Sequence, residues 1–314
     1  MSQMNPSQAR AVDPILTAVA RGFRPQVAAV ANVLFPIVNV SARAGKIISF
    51  GPDDFKLIGT VRAPGSNTRR VQFGYATDDY ALVDHRLEAV VPAEIQEEGL
   101  AVPGIDNIAI HVRKVQNLMA LERENQCATL ARAAGNYGSN NKLTLTGNDR
   151  WDVAHADSDP FADILAAKES VRSQIGLRPN VLTLGPKVLT ALRSHTKVLD
   201  RLSTATDRPP ATLAQLAALF ELDQIVEGGA VYHTGSAFAD VWGTDAILAY
   251  TAPASLADMG SPSYGYTYQL EGRPVVEQGY EERNLNSMVY PVADARKPVL
   301  AGASAGFLFK TAVS

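Results

Sequence analysis

One cysteine, Cys127, is present in 314 residues, so no internal disulfide can form, and this usage fits a reducing compartment. No uninterrupted apolar run approaches the roughly 20 residues that a membrane helix needs. The opening MSQMNPSQAR lacks the charged-then-apolar order of a secretory signal, and Asp13-Pro14 interrupts the only candidate. A soluble protein made in the cytosol is the expectation. An excess of positive charge is missing too: 29 Lys+Arg face 32 Asp+Glu, a formal charge of −3, without the basic footprint of a dedicated nucleic-acid binder. Internal repeats and long low-complexity tracts are also lacking.

Catalytic and metal-binding signatures are equally sparse. The five histidines, His85, His111, His155, His195 and His233, share no short metal-ligand spacing. Gly302-Ala303-Ser304-Ala305-Gly306 fits the G-x-S-x-G pattern of a nucleophile elbow, but the acid and histidine should follow the serine. Only Phe307 to Ser314 remain, and none of these is Asp, Glu or His. Gly45-Lys46 lacks the upstream glycine of a phosphate loop, and Ile47 stands where Ser or Thr is needed. The pairs Asp78-Asp79 and Glu281-Glu282 carry nothing to assign one member as acid and the other as base. No catalytic residue, metal site or cofactor is expected.

What is present begins with enough apolar residues, 46%, for a real core. The length suits two modest domains or one elaborated fold. Residues 105–135 read as one long helix. Asp106 is a good N-cap, and Ile108, Val112, Val115, Met119, Cys127, Leu130, Ala131 and Ala134 form an apolar side. Gly135-Asn136 tolerates a left-handed stop, and Cys127 falls on the apolar side as buried packing. About 1.5 Å per residue makes this a beam of roughly 45 Å.

Before the beam, residues 1–30 read as an arm that packs on something else, with Pro6, Pro14 and Pro25 breaking any long helix. Strands are expected over 33–40 and 46–50. Residues 55–61 and 71–75 can form a hairpin around the basic, turn-rich 62–70, and such a ribbon is marginal alone, so it should lie on a partner. Residues 91–100 supply an acidic turn. Arg62, Arg69 and Arg70 on the ribbon oppose Glu94, Glu97 and Glu98, which suggests self-association.

After the beam, short strands and helices alternate without a regular βαβ rhythm, so the class is α+β. Ser158-Asp159-Pro160 should start a helix with Phe161, Ile164, Leu165, Val171 and Ile175 buried. Further helices are expected over 186–194 and 211–222, and strands over 142–146, 180–185, 224–228, 230–233, 264–269 and 287–292. Residues 241–243 and 246–250 should form a hairpin, and 299–300 and 307–309 should be extended.

Arm, extended loop, acidic turn, long helix, mixed body and returning strands follow in that order. Both the order and the stretches VLFPIVNVSARAGK, RAPGSNTRRVQFGY, SDPFADILAAKESVRSQIGLRPNVLTLGPKVLTALRSH, ALFELDQIVEGGAVY and DVWGTDAILAY resemble the major capsid proteins of tailed bacteriophages, which share the Hong Kong 97-type fold. The likeness covers nearly the whole chain. It implies an N-terminal arm at 1–44, an extended loop at 45–85, and a peripheral domain at 86–149 with its spine helix at 105–135. An axial domain at 150–262, return strands of the peripheral domain at 263–296 and a final axial strand at 297–314 complete the implied division. The implied function is a structural subunit of an icosahedral shell of hexamers and pentamers around double-stranded DNA, located in the virion and assembled in the host cytoplasm. Implied partners are further copies of the chain, then portal, scaffold or cement proteins and non-specifically held DNA, with no membrane. Some relatives crosslink a loop lysine to a neighbour's asparagine, but Lys46 and Lys56 carry no matching motif. The competing expectations are an encapsulin-like compartment around a cargo enzyme and, from another class, a cytosolic enzyme with an inserted hairpin.

Overall fold

The computed structural model describes residues 12–21, 30–46, 60–61, 79–101, 106–152, 155, 157–202, 209–252 and 263–314, with backbone alone for 98–101. Asp13-Pro14 starts a helix rather than interrupting one. The Asp13 carboxylate accepts from the Ile15 and Leu16 amides at 2.9 Å each, and proline at the first helical position has no N–H to lose. The result is α1 (Pro14–Arg21), whose Leu16, Thr17 and Ala20 turn inward. Thr17 Oγ1 accepts from the Val276 amide at 3.1 Å. The described part of the arm therefore packs on its own chain, contrary to expectation, because Leu16 and Ala20 sit one turn apart. Val33 and Leu34, expected in a strand, belong to α2 (Val30–Leu34), and β1 (Ile37–Val40) begins only after Pro36. β2 (Ala44–Lys46) pairs antiparallel with β3 (Asp79–Ala81). Most of the expected hairpin falls outside the described residues.

β4 (Val83–Pro92) leads directly into α3 (Ala93–Ala101), so the expected acidic turn is a helix. Glu94 in its first turn suits the positive end of the helix dipole. α4 (Asn107–Arg132) is capped by Asp106, which accepts from the Ala109 amide at 3.0 Å. Its 26 residues span about 39 Å at 1.5 Å per residue. The helix stops short of Gly135: Ala133 is extended and residues 134–136 tighten into a single 3-10 turn, so the left-handed stop goes unused.

β5 (Lys142–Thr144) precedes α5 (Pro160–Ile175), which has the expected Asp159 cap and a left-handed Gly176 at φ 71°. Leu165 is exposed. The buried stripe runs instead through Ile164, Ala167, Lys168, Val171 and Ile175, the spacing that keeps one helix face inward. Then come β6 (Val181–Leu184), α6 (Pro186–Ser194), α7 (Thr196–Leu202), α8 (Leu213–Phe220), β7 (Gln224–Glu227), β8 (Val231–His233) and β9 (Phe238–Asp240). The expected hairpin at 241–250 does not form. β10 (Ala246–Ala249) pairs with β6 instead, and the hairpin lies earlier, between β8 and β9. β11 (Gly265–Leu270), β12 (Val275–Val276), β13 (Tyr280–Glu282), β14 (Ser287–Leu300) and β15 (Gly306–Lys310) follow.

Two larger sheets result, and the class is α+β as expected. The first is built on β14, which pairs with β4 over ten registered positions, from Ser287↔Pro92 to Arg296↔Val83. Along the other edge of β14 lie β13, β12 and β11, with β1 parallel to β11. The second sheet runs β5-β15-β10-β6-β7. Early α4 residues Val112, Val115 and Met119 pack with Ala89, Val91, Tyr290 and Val292 of the first sheet and Leu16 of α1. Late residues Cys127, Ala128 and Ala131 join the larger core, which includes the second sheet. Val115→Asp places an unpaired charge in the smaller core and should cost several kcal/mol. Insoluble or unfolded protein is expected; a soluble variant with unchanged circular dichroism and melting would contradict this packing.

Candidate assembly interface

Charged side chains pin the beam to both of its neighbours. Glu124, 4% exposed, accepts from Trp242 Nε1 at 2.7 Å and from the Ala31 amide at 3.1 Å. Burial pushes its carboxyl above the usual range, and these two hydrogen bonds only partly offset that. Further along, Asp245 accepts from Arg132 Nε at 2.7 Å, Lys310 Nζ at 2.8 Å and the Thr311 amide at 2.9 Å. Burial alone would raise the Asp245 pKa, but the Lys310, Thr311 and Arg132 contacts outweigh it and hold the group below its ordinary range. Cys127 lies between these two pins, fully buried as expected, and burial pushes its thiol up to about 12. The surfaces of the subunit are thus carried on a stiff frame.

Of the residues expected to join subunits, Arg62, Arg69 and Arg70 lie outside the described residues. Glu94, Glu97 and Glu98 all fall on α3, and Glu94 and Glu97, three residues apart, share one side of the helix. Glu94 and Glu97 are exposed, and Glu94 Oε1 accepts from Asn286 Nδ2 at 3.3 Å. Gathering these acids on a helix was not foreseen, although Pro92 followed by Glu94 is a usable start signal. The β8–β9 hairpin was missed as a surface: Val231, Tyr232 and Phe238 are all exposed on it, Phe238 by 77%. Alternation of apolar residues around Thr234-Gly235-Ser236 is the signal that could have found it.

Among the described residues no group of three or more His, Cys, Asp or Glu could hold a metal ion. His195 is buried, with Nε2 3.1 Å from Ser158 Oγ, and burial followed by nearby Lys197 keeps its pKa below the usual value. The Gly302–Gly306 string is a 3-10 turn between two strands, β14 and β15, not a strand-to-helix elbow.

The family model described as phage major capsid protein E matches residues 115–281, just over half of the chain. The chain belongs to this family. The major capsid protein of Burkholderia phage BcepMu is 31% identical over 307 residues, covering 96% of this chain and 97% of that one. The crystal structure of a phage-related protein from Bordetella bronchiseptica RB50 superimposes with a TM-score of 0.80 at 41% identity, covering 97% of this chain and 98% of the other. The capsid of Cyanophage P-SCSP1u, at 10% identity, shares the fold alone: its TM-score is 0.55 over 92% of this chain and 89% of that one. The fold is the Hong Kong 97-type capsid fold, and the capsid protein is a structural subunit that self-assembles into the shell of a phage virion.

Two outcomes test the frame. Native capsid protein should react slowly with a thiol reagent and quickly once denatured, because the thiolate is the reactive form; rapid labelling of native protein would refute the burial of Cys127. Asp245→Ala leaves Arg132 and Lys310 facing each other. Their side chains are 30% and 32% exposed, so the melting transition should report a loss of about 2–4 kcal/mol, at or below the usual cost of breaking a fully buried pair.

Proposed function

We propose that the capsid protein gathers into hexamers and pentamers that close an icosahedral shell around double-stranded DNA, assembling in the host cytoplasm. The observation that carries this reading is the frame itself: one long helix bonded to two separate sheets, matched along nearly its whole length by a phage-related structure. In this reading the sheet built on β14, with α4, is the peripheral domain. The sheet holding β10 is the axial domain, residues 1–44 are the arm and 45–85 the extended loop, rooted on the β2–β3 ladder. β5 goes with the axial domain, since it pairs with β15.

Contents are held loosely. Non-specific DNA affinity needs many Lys/Arg–phosphate contacts, and a chain of net charge −3 is poorly supplied with them. Portal, scaffold and cement proteins are the further partners of this reading. An encapsulin-like compartment would use the same fold, but the family match and the BcepMu relative favour the phage shell. Catalysis has no part in the proposal.

The loop of one subunit lies over its neighbour, with Arg62, Arg69 and Arg70 facing Glu94, Glu97 and Glu98. Each exposed pair contributes only about 0–1 kcal/mol, but a closed shell repeats the contact at every subunit. Electron microscopy of recombinant protein should show closed particles, whereas small oligomers under all assembly conditions would count against a shell subunit. Changing the three arginines to glutamate should leave folding and melting intact and yield free subunits or capsomers. Wild-type assembly should also weaken as salt rises, since such contacts are screened over about 8–10 Å near physiological ionic strength. Full-sized particles from the triple variant, with unchanged salt tolerance, would refute the charge pairing.

A further inference from the structure

A cleft of about 440 Å³ opens where α1, α4 and the β14 sheet meet. Arg21, Arg123, Arg273 and Arg296 all line it, against one carboxylate, Asp294. That carboxylate is already engaged, accepting from Gln269 Nε2 at 2.8 Å and from Arg296 Nη1 at 2.9 Å. Arg21 and Arg123 spend hydrogen bonds on neutral oxygens, Arg21 on the Pro274 and Gly272 carbonyls and Arg123 on Asn32 Oδ1. Arg273 is half-buried, and its side chain makes no hydrogen bond or ion pair among the described residues. Gln116, also on the wall, is only 6% exposed, yet neither atom of its amide has a hydrogen-bond partner among the described residues. Burial first, and Arg296 alongside, pull the Arg123 guanidinium below its usual value.

Guanidinium groups gathered in a recess, with a buried amide left over, are the lining of an anion site. Arginine's planar fork matches a carboxylate or a phosphate. A double helix carries its phosphates on a convex surface and cannot enter a recess of this volume, whereas a single carboxylate side chain can. The subunit has such a side chain to offer: Glu281 on β13 is exposed and makes no hydrogen bond or ion pair of its own among the described residues. We infer that the cleft receives a carboxylate from a second copy of this chain, with Arg273 as its first contact, and so acts as the socket of an intersubunit joint. This inference rests on the shell-subunit reading. Socket and carboxylate lie at different places on one chain, so the contact is heterologous, and heterologous contacts close into rings when the rotation permits.

Two variants test it. Arg273→Glu breaks no hydrogen bond or close ion pair among the described residues, although it exchanges attraction by Asp84 and Asp294 for repulsion, so melting should fall only modestly. It sets like charges against each other, and at fixed protein concentration the assembled fraction should fall by about tenfold or more. Arg273→Lys keeps the charge and supplies an amine that a carbodiimide can couple to a touching carboxylate. With particles co-assembled from isotopically heavy and light subunits, mass spectrometry should find residue 273 joined to an acidic residue across heavy–light pairs. Unchanged assembly of Arg273→Glu would overturn the socket. So would coupling only within one chain, no coupling at all in intact particles, or coupling that appears only after nuclease strips nucleic acid from the site. Should Arg273→Glu fail to fold, the coupling result decides. If the wild-type chain forms no particles at all, it is the shell-subunit reading that fails.

Discussion

One helix has to satisfy two sheets, and the rest of the subunit follows from that constraint. α4 presents Val112, Val115 and Met119 to the β14 sheet and Cys127, Ala128 and Ala131 to the larger core. Apolar contact alone would leave the helix free to slide, since it is largely non-directional. Direction comes from the polar pins. Glu124 fixes α2 and the Trp242 segment to the middle of the helix, and Arg132 fixes its end to Asp245, which also holds Lys310 and Thr311 near the end of the chain. Removing either acid would leave donors in the interior without a partner, which is what makes such pins specific.

Elements governed by neighbours in sequence were legible. The Asp106 and Asp159 caps, Pro160 and the 186–194 helix all depend on contacts within a turn or two. Elements governed by distant neighbours were not. Ala246–Ala249 looked like half of a local hairpin, but its partners are Val181–Leu184 and Gly306–Phe309, and nothing nearby in sequence announces that pairing. Asp13-Pro14 was misread for a different reason: the same dipeptide breaks a helix from inside and starts one from its end. The acidic stretch after Pro92 was read as a turn, but the helix start signal of Pro92 followed by Glu94 prevailed. As for the candidate interface, the sequence announced charges of both signs, but not the cleft that sets Arg21, Arg123, Arg273 and Arg296 side by side. Those four arise from four separate elements or turns, and only the tertiary fold brings them together.

The exposed features differ in kind. Phe238 and its hairpin neighbours offer apolar area, α3 offers carboxylates, and the α1–α4 cleft offers guanidinium groups. A surface that carries unlike features at separate places is suited to head-to-tail contact. Screened charges and modest apolar patches each contribute little. A large assembly can use that weakness, because a misplaced subunit that binds weakly can still leave.

The ten-position ladder between β14 and β4 has a mechanical consequence. Tension applied along β14 would drag it lengthwise past β4, so the rungs would be loaded in shear and share the force. They would not open in succession, as they do when a ladder is peeled from its end. The shorter ladders to β12 and β13 on the opposite edge, of two and three rungs, would yield first. The five-rung ladder to β11 on that same edge would hold longer, so a wall stretched in that direction would soften first beside β12 and β13.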